Sequence, residues 1–360
     1  MNLDTADPLE KQLARLAARA RGRRTPALSY AVATTSGHTY ASAVGPADLD
    51  ERREVTVEDQ MPWFSMTKIA TATTMVRLAA RGVVDLDAHV AAYVPEYHTG
   101  IHQPTVRQLL THTAGLGNPL PIRWIRPVGQ PADADLVASI VRKHGAPKRR
   151  PGEHAAYSNI GYLLAGQVIE AVTGEPVEQV VSDVVLRPIG MERTGFRYDP
   201  SSPHAIGYVR APRAVRPLLR RLLPNGVVGQ HVAGFTALRP FLVEGAAYGG
   251  LVGAPSDAAR LALAHLQPDG PLGDLSAMRE ITCPGKPFDH GTGWFRKPAD
   301  IDRTPPFVEH YGTGGGFWNA MRIYPTLGVA VVGMTNGTSA WSFDEFFTSV
   351  VELMQHEGRT

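Results

Sequence analysis

Apolar residues near the start of the chain recur at helical spacing. Leu9, Leu13, Leu16 and Ala20 share one face of a basic amphipathic segment, residues 9–21. From residue 27 the period changes. Residues 28–32 and 39–44 flank the turn signal Ser36-Gly37 and predict a β-hairpin over 27–45. A polar stretch, 48–60, separates it from a strong helix with Ile69, Ala72, Met75, Val76 and Ala79 at helical spacing and Gly82 as its stop. Between residues 85 and 285 Pro and Gly punctuate short helical patterns at 105–110, 133–143, 160–173, 176–186 and 256–266, the last opened by Pro255-Ser256-Asp257. Strand signals return only near the end, at 318–324 and 328–334 around the turn Pro325-Thr326. A final helix is expected over 343–355.

Strands at both ends with helices between them predict an α+β fold. One antiparallel sheet would be built from both chain ends and flanked by the terminal helices. Residues 1–84 and 285–360 would form this sheet domain, and 85–284 a mainly helical insertion with variable, lid-like loops. A cleft between sheet and helices is the natural site.

Composition narrows the classes of function. Of 360 residues, 43% are hydrophobic and 19% charged, which is ordinary for a globular chain with a sizeable core. The formal charge of +2, with no basic block interleaved with aromatics, gives no reason to expect a nucleic-acid partner. The single cysteine, Cys283, cannot form an internal disulfide and reads as an incidental loop thiol. The first eight residues lack a basic segment followed by an apolar one, and no run reaches the ~18–20 apolar residues of a membrane span. A cytoplasmic protein is the expectation, with peripheral membrane contact left open.

Three short motifs carry candidate chemistry. Ser65-Met66-Thr67-Lys68 opens the strong helix. Residues three apart share a helix face, so the Lys68 amine can reach the Ser65 hydroxyl and act as its base if its pKa is lowered. Tyr157-Ser158-Asn159 precedes the helical run at 160. A tyrosine there can shuttle a proton and an asparagine can orient a carbonyl, although Ser158 or Asn159 capping the helix explains the same letters. His310-Tyr311-Gly312-Thr313 leads into the C-terminal hairpin through Gly314-Gly315-Gly316. Glycines on a strand permit close approach of a ligand. A phosphate-binding loop is excluded because a strand, not a helix, follows.

In this order, on helix, loop and strand, the motifs make the chain resemble the serine β-lactamase and penicillin-binding superfamily. The resemblance is to the branch with class C β-lactamases, D-alanyl-D-alanine carboxypeptidases and related esterases. It extends through the blocks at 109–116, 157–162, 186–191, 249–251 and 328–336 and spans residues 25–355. It implies that Ser65 attacks a carbonyl to give an acyl-enzyme, with Lys68 and Tyr157 sharing the proton traffic. The amides of Ser65 and Thr313 would hold the oxyanion. Asn159, His310 and Gly312 would line the substrate pocket. No metal or organic cofactor is implied. Class C enzymes carry lysine where this chain has His310, which favours a small ester or amide over a β-lactam or a D-amino-acid peptide as substrate. A non-catalytic binding or scaffold member, or a penicillin sensor that acylates without turnover, is the alternative.

Two features stand apart from the motifs. His112 reads as a structural residue satisfied by backbone partners. Residues 209–243 hold six arginines, no acidic residue, and Leu218, Leu219, Leu222, Leu223, Phe235, Phe241 and Leu242. A solvated loop–helix insertion fits this span better than a lid that contacts lipid, an acyl substrate or a membrane surface, the second reading.

Overall fold

The computed structural model describes residues 8–97 and 101–357. Residues 1–7, read above as lacking a leader, lie outside them. Among the described residues the largest sheet has seven antiparallel strands: β1 (Leu28–Thr34), β2 (Thr39–Val44), β3 (Asp289–His290), β4 (Phe295–Arg296), β5 (Val308–Gly314), β6 (Phe317–Tyr324) and β7 (Val329–Thr335). Their order is β3-β4-β5-β6-β7-β1-β2, so the two chain ends meet where β1 pairs with β7, Val32 opposite Val331. The fold is the expected α+β arrangement. Six helices matter here: α1 (Pro8–Arg21), α2 (Thr67–Ala80), α3 (Asn159–Thr173), α4 (Arg216–Leu222), α5 (Pro255–Ala264) and α6 (Phe343–Glu357).

Antiparallel sheets commonly leave one face in water; this one is covered on both. On one face Tyr30, Val32, Ala320, Val329 and Val331 pack under α1 and α6 through Leu13, Ala17, Phe346, Phe347 and Val350. On the other face Ala31, Ala33, Met321, Ile323, Ala330, Val332 and Met334 join the larger core with α2, α3 and α5. Burial on both sides explains why β1 and β7 are near-continuous apolar runs.

Helix α2 is enclosed on nearly all sides, not on one stripe, and its composition follows from that. Its threonines are buried yet satisfied: Thr71 donates to the Ala247 carbonyl at 2.8 Å, Thr73 to Ile69 and Thr74 to Ala70. Short hydroxylated and methyl side chains let neighbouring backbone approach where leucines would hold it off.

The middle of the chain corrects one expectation. Strands do occur there: Gly207–Arg210, Val228–Val232 and Phe235–Leu238 form a three-stranded sheet, and Ile125–Pro127 pairs with Phe241–Val243. At three to five residues, broken by Gly and Pro, they are too short to show a period of two. The solvated loop–helix reading of residues 209–243 holds therefore only for about 210–226; the rest of the span is mostly strand. Phe241 and Leu242 are buried, Leu219 and Leu223 pack on the core, and Leu218 and Leu222 face solvent. The pattern at 176–186 is a short helix, Val177–Val181, continued by a wide turn over Ser182–Leu186.

Strand alternation on β5 sorts its side chains between the two cores. His310 and Gly312 face α2. Glu309 faces the other way and meets Arg322 of β6, with contacts of 2.6 and 2.9 Å and both side chains almost fully buried. Tyr311 also donates to Glu309, and Arg322 reaches Asp344 of α6 at 2.8 Å and stacks on Phe307. This network fixes the register of the strand that carries His310. Removing one member leaves a buried charge alone. Arg322→Ala is expected to cost about 3–5 kcal/mol of unfolding free energy, measured by urea denaturation, whereas Glu309→Gln with Arg322→Met should recover most of that loss.

Candidate active site

Ser65 lies in a 3-10 turn, Phe64–Met66, that runs directly into α2. Phe64 adopts φ +48°, a left-handed conformation costly for a bulky side chain, on the order of 1–3 kcal/mol. Its ring is held between Phe241 and Phe317, at centroid distances of 6.1 and 6.3 Å. The turn is also anchored from behind. Trp63 donates its backbone N–H to Leu251 at 2.8 Å, and Leu251 donates to the Thr67 hydroxyl at 3.1 Å.

One helical turn on, Lys68 is fully buried, with Nζ 3.2 Å from Ser65 Oγ. Its two shorter bonds, both 2.8 Å, go to Asn159 Oδ1 and the Tyr248 carbonyl. Those partners only accept, so they take two N–H groups. The third position on nitrogen faces the serine. Among the described residues Lys68 makes no ion pair; the rings of Tyr157, Tyr162 and Tyr248 surround it at 4.9–5.4 Å. Burial without a carboxylate pulls its pKa well below the lysine range. In its neutral form the amine would have its lone pair directed at the Ser65 hydroxyl.

Tyr157 sits just before α3 and bonds Ser65; burial pushes its phenol well up, so it stays protonated. Its backbone is clamped by His112. The His112 carbonyl accepts from Ala156 N–H at 2.8 Å, His112 Nδ1 accepts from Ser158 N–H at 3.1 Å, and its ring lies 4.5 Å from the Tyr157 ring. Ser158 also caps α3 by accepting from Gly161 N–H, so the capping role and the placement of Tyr157 coexist. Asn159 N–H is held by Asn118 Oδ1 at 3.0 Å.

His310 is 1% exposed. Its Nδ1 lies 2.8 Å from the Tyr311 carbonyl, which can only accept, so Nδ1 carries the proton. Nε2 is a buried lone pair with no partner among the described residues. Burial, with Lys68 nearby, holds the ring well below the usual histidine pKa. The third motif thus presents a neutral acceptor and no cation.

The glycines of β5 answer a different need from the one read in the sequence. A Cβ on Gly312 would overlap the Trp63 carbonyl oxygen, and one on Gly314 the Phe64 ring. They admit the turn that carries Ser65. Thr313 is exposed at the end of the strand that packs against this turn.

The structure therefore brings Ser65, Lys68, Tyr157, Asn159 and His310 together from three segments. Sequence reasoning missed Tyr248, Tyr162, Asn118 and His290. Tyr248 adjoins the 249–251 block, which was the available signal. His290 had none: it packs 4.7 Å from His112 and 6.2 Å from Tyr157, and burial lowers its pKa to about 4.

A buried lysine paired with a serine one helical turn before it, faced by a tyrosine and a sheet strand, is the site of a recognisable class, and a family model described as Beta-lactamase matches residues 13–348. The chain belongs to the β-lactamase family. Penicillin-binding protein 4 of Amycolatopsis lactamdurans is 27% identical over 320 residues, 80% of this chain and 75% of that protein. Esterase EstB of Burkholderia gladioli is 31% identical over 188 residues, 46% of each, so the match spans under half of that esterase. The solved D-amino acid amidase from Ochrobactrum anthropi SV3, complexed with L-phenylalanine amide, shares the fold with a TM-score of 0.79. It is 22% identical, and the match covers 98% of this chain and 100% of that one.

Gly312→Ala tests the packing of β5 against the turn that carries Ser65. It should lower unfolding free energy by about 1–3 kcal/mol, read from thermal or urea melts, and displace the strand beside Ser65.

Proposed function

We propose that this protein is a serine hydrolase that works through a covalent acyl-enzyme on a small ester or amide. The observation that carries the reading is the lysine amine, buried without a carboxylate and 3.2 Å from a serine hydroxyl. Such a group is a base at neutral pH, and serine needs one. The Lys68 lone pair takes the Ser65 proton as Oγ attacks the carbonyl carbon. Negative charge develops on the carbonyl oxygen, where the amides of Ser65 and Thr313 would receive it. The C–O or C–N bond then breaks, and Tyr157, a protonated phenol, gives its proton to the departing group and regains one from Lys68. Water, or another acceptor such as an alcohol, reverses the sequence and releases the acyl group.

Similarity to a protein named as an esterase supports ester chemistry, and fold likeness to an amidase leaves amides open. β-Lactam hydrolysis ranks below them because His310 Nε2 is an uncharged acceptor, unsuited to a substrate carboxylate. D-amino-acid peptides rank third. Fast turnover of a chromogenic cephalosporin would reverse this order.

Ser65→Ala should lower p-nitrophenyl ester turnover at least ~1,000-fold and abolish labelling by a fluorophosphonate; survival of either would remove Ser65 as nucleophile. The lowered Lys68 pKa sets the pH dependence. Lys68 must be neutral to act, so kcat/KM should fall on the acid side and stay level through pH 8 to 10. A tenfold rise per pH unit there would mean that Lys68 titrates at its ordinary value near ~10.4.

A further inference from the structure

Residues 209–243 carry Arg210, Arg213, Arg216, Arg220, Arg221 and Arg239 against no acidic residue, in a chain whose net charge is only +2. All but Arg216 are exposed, and among the described residues none of the six makes an ion pair. Helix α4 turns Leu219 onto the core, and Leu223, just past its end, packs there too. The same helix turns Leu218 and Leu222, one turn apart and 55% and 41% exposed, outward beside Arg220 and Arg221.

A second segment joins this face. Arg123 donates to the Arg221 carbonyl at 2.9 Å, which ties the loop containing Leu120 (79% exposed) and Ile122 (42%) to the end of α4. Four exposed aliphatic side chains thus sit on two tethered segments amid uncompensated arginines. The loop is also continuous with the candidate site. Asn118 holds the Asn159 N–H, and Trp124 packs edge-on against Tyr248, whose carbonyl holds Lys68.

We propose that residues 120–123 and 213–222 form an interfacial patch that docks the protein on an anionic lipid bilayer. The chemistry fits both layers of such a surface. Arginine guanidinium groups pair with lipid phosphates, and leucine and isoleucine enter the acyl boundary beneath them. A nucleic acid or an acidic polypeptide would use the arginines and leave the aliphatic side chains in water. Docking in this orientation sets the rim of the site against the membrane, where an acyl substrate carried by lipid would be met.

The test is co-sedimentation of the full chain with vesicles of phosphatidylcholine alone or mixed with phosphatidylglycerol. Binding is expected to the mixed vesicles, much less to the neutral ones, and to weaken with added salt. Losing three charges in Arg213→Gln, Arg220→Gln and Arg221→Gln together should lower partitioning roughly a hundredfold, at about fivefold per arginine. Leu218→Ser with Leu222→Ser should lower it at least ~10-fold. Neither variant touches the reacting groups, so each should hydrolyse a soluble p-nitrophenyl ester as the parent does, which also reports folding. Ser65→Ala should bind vesicles normally, so failure of the hydrolase reading and failure of this one are separable. Absence of binding to anionic vesicles overturns the proposal. So does equal binding by the leucine variant, which would leave the aliphatic side chains with no part in docking, or retention on heparin without vesicle binding, which would assign the arginines to a soluble polyanion.

Discussion

The amine of Lys68 lies in the interior with no carboxylate among the described residues to neutralise it, and much of the architecture follows from holding it there. A charged ammonium in that setting is strongly disfavoured, so the side chain is driven toward its neutral form. A neutral amine still needs acceptors for its hydrogens. An amide oxygen from the start of α3 and a carbonyl from residue 248 supply them without supplying charge. These groups are 91 and 180 residues away in sequence, so α2, α3 and the 246–250 turn must converge on one point. The small, hydroxyl-bearing composition of α2 is what lets them approach.

Much of this was legible in the sequence because it rests on local rules. The three-residue spacing of Ser65 and Lys68, the cap at Ser158 and the glycines after His310 each declare themselves within a few residues. The sheet ends were legible because β1, β2, β6 and β7 are long enough to show their patterns. What stayed hidden depends on long-range packing. Tyr248 contributes a backbone carbonyl, which no side-chain identity advertises. His290 is a lone histidine whose contacts at the site, His112 and Tyr157, lie more than 130 residues earlier. The strands at 207–238 are too short to be told from loop. The β5 glycines were seen, but what fills the space beside them is the protein's own Trp63–Phe64 backbone and ring.

His112 shows how a residue outside the reacting set can govern it. Backbone and ring together fix the peptide on either side of Tyr157, and three histidines pack around that phenol, two of them in direct ring contact with each other. All three are held neutral by burial, so the wall of the site changes polarity little across the physiological range. Charge selectivity is then left to the periphery, where the arginines lie.

The pairing of the two chain ends in one sheet also has a temporal side. Ser65 precedes His310 by 245 residues, and β1 cannot meet β7 until the last part of the chain exists. At ~5–20 residues per second of synthesis, that gap is on the order of 10–50 s. Throughout it Ser65 and Lys68 have no β5 against them, and only the β1–β2 hairpin of the sheet has been made. The candidate site is therefore incomplete on the nascent chain and is assembled only after β5, β6 and β7 have been made.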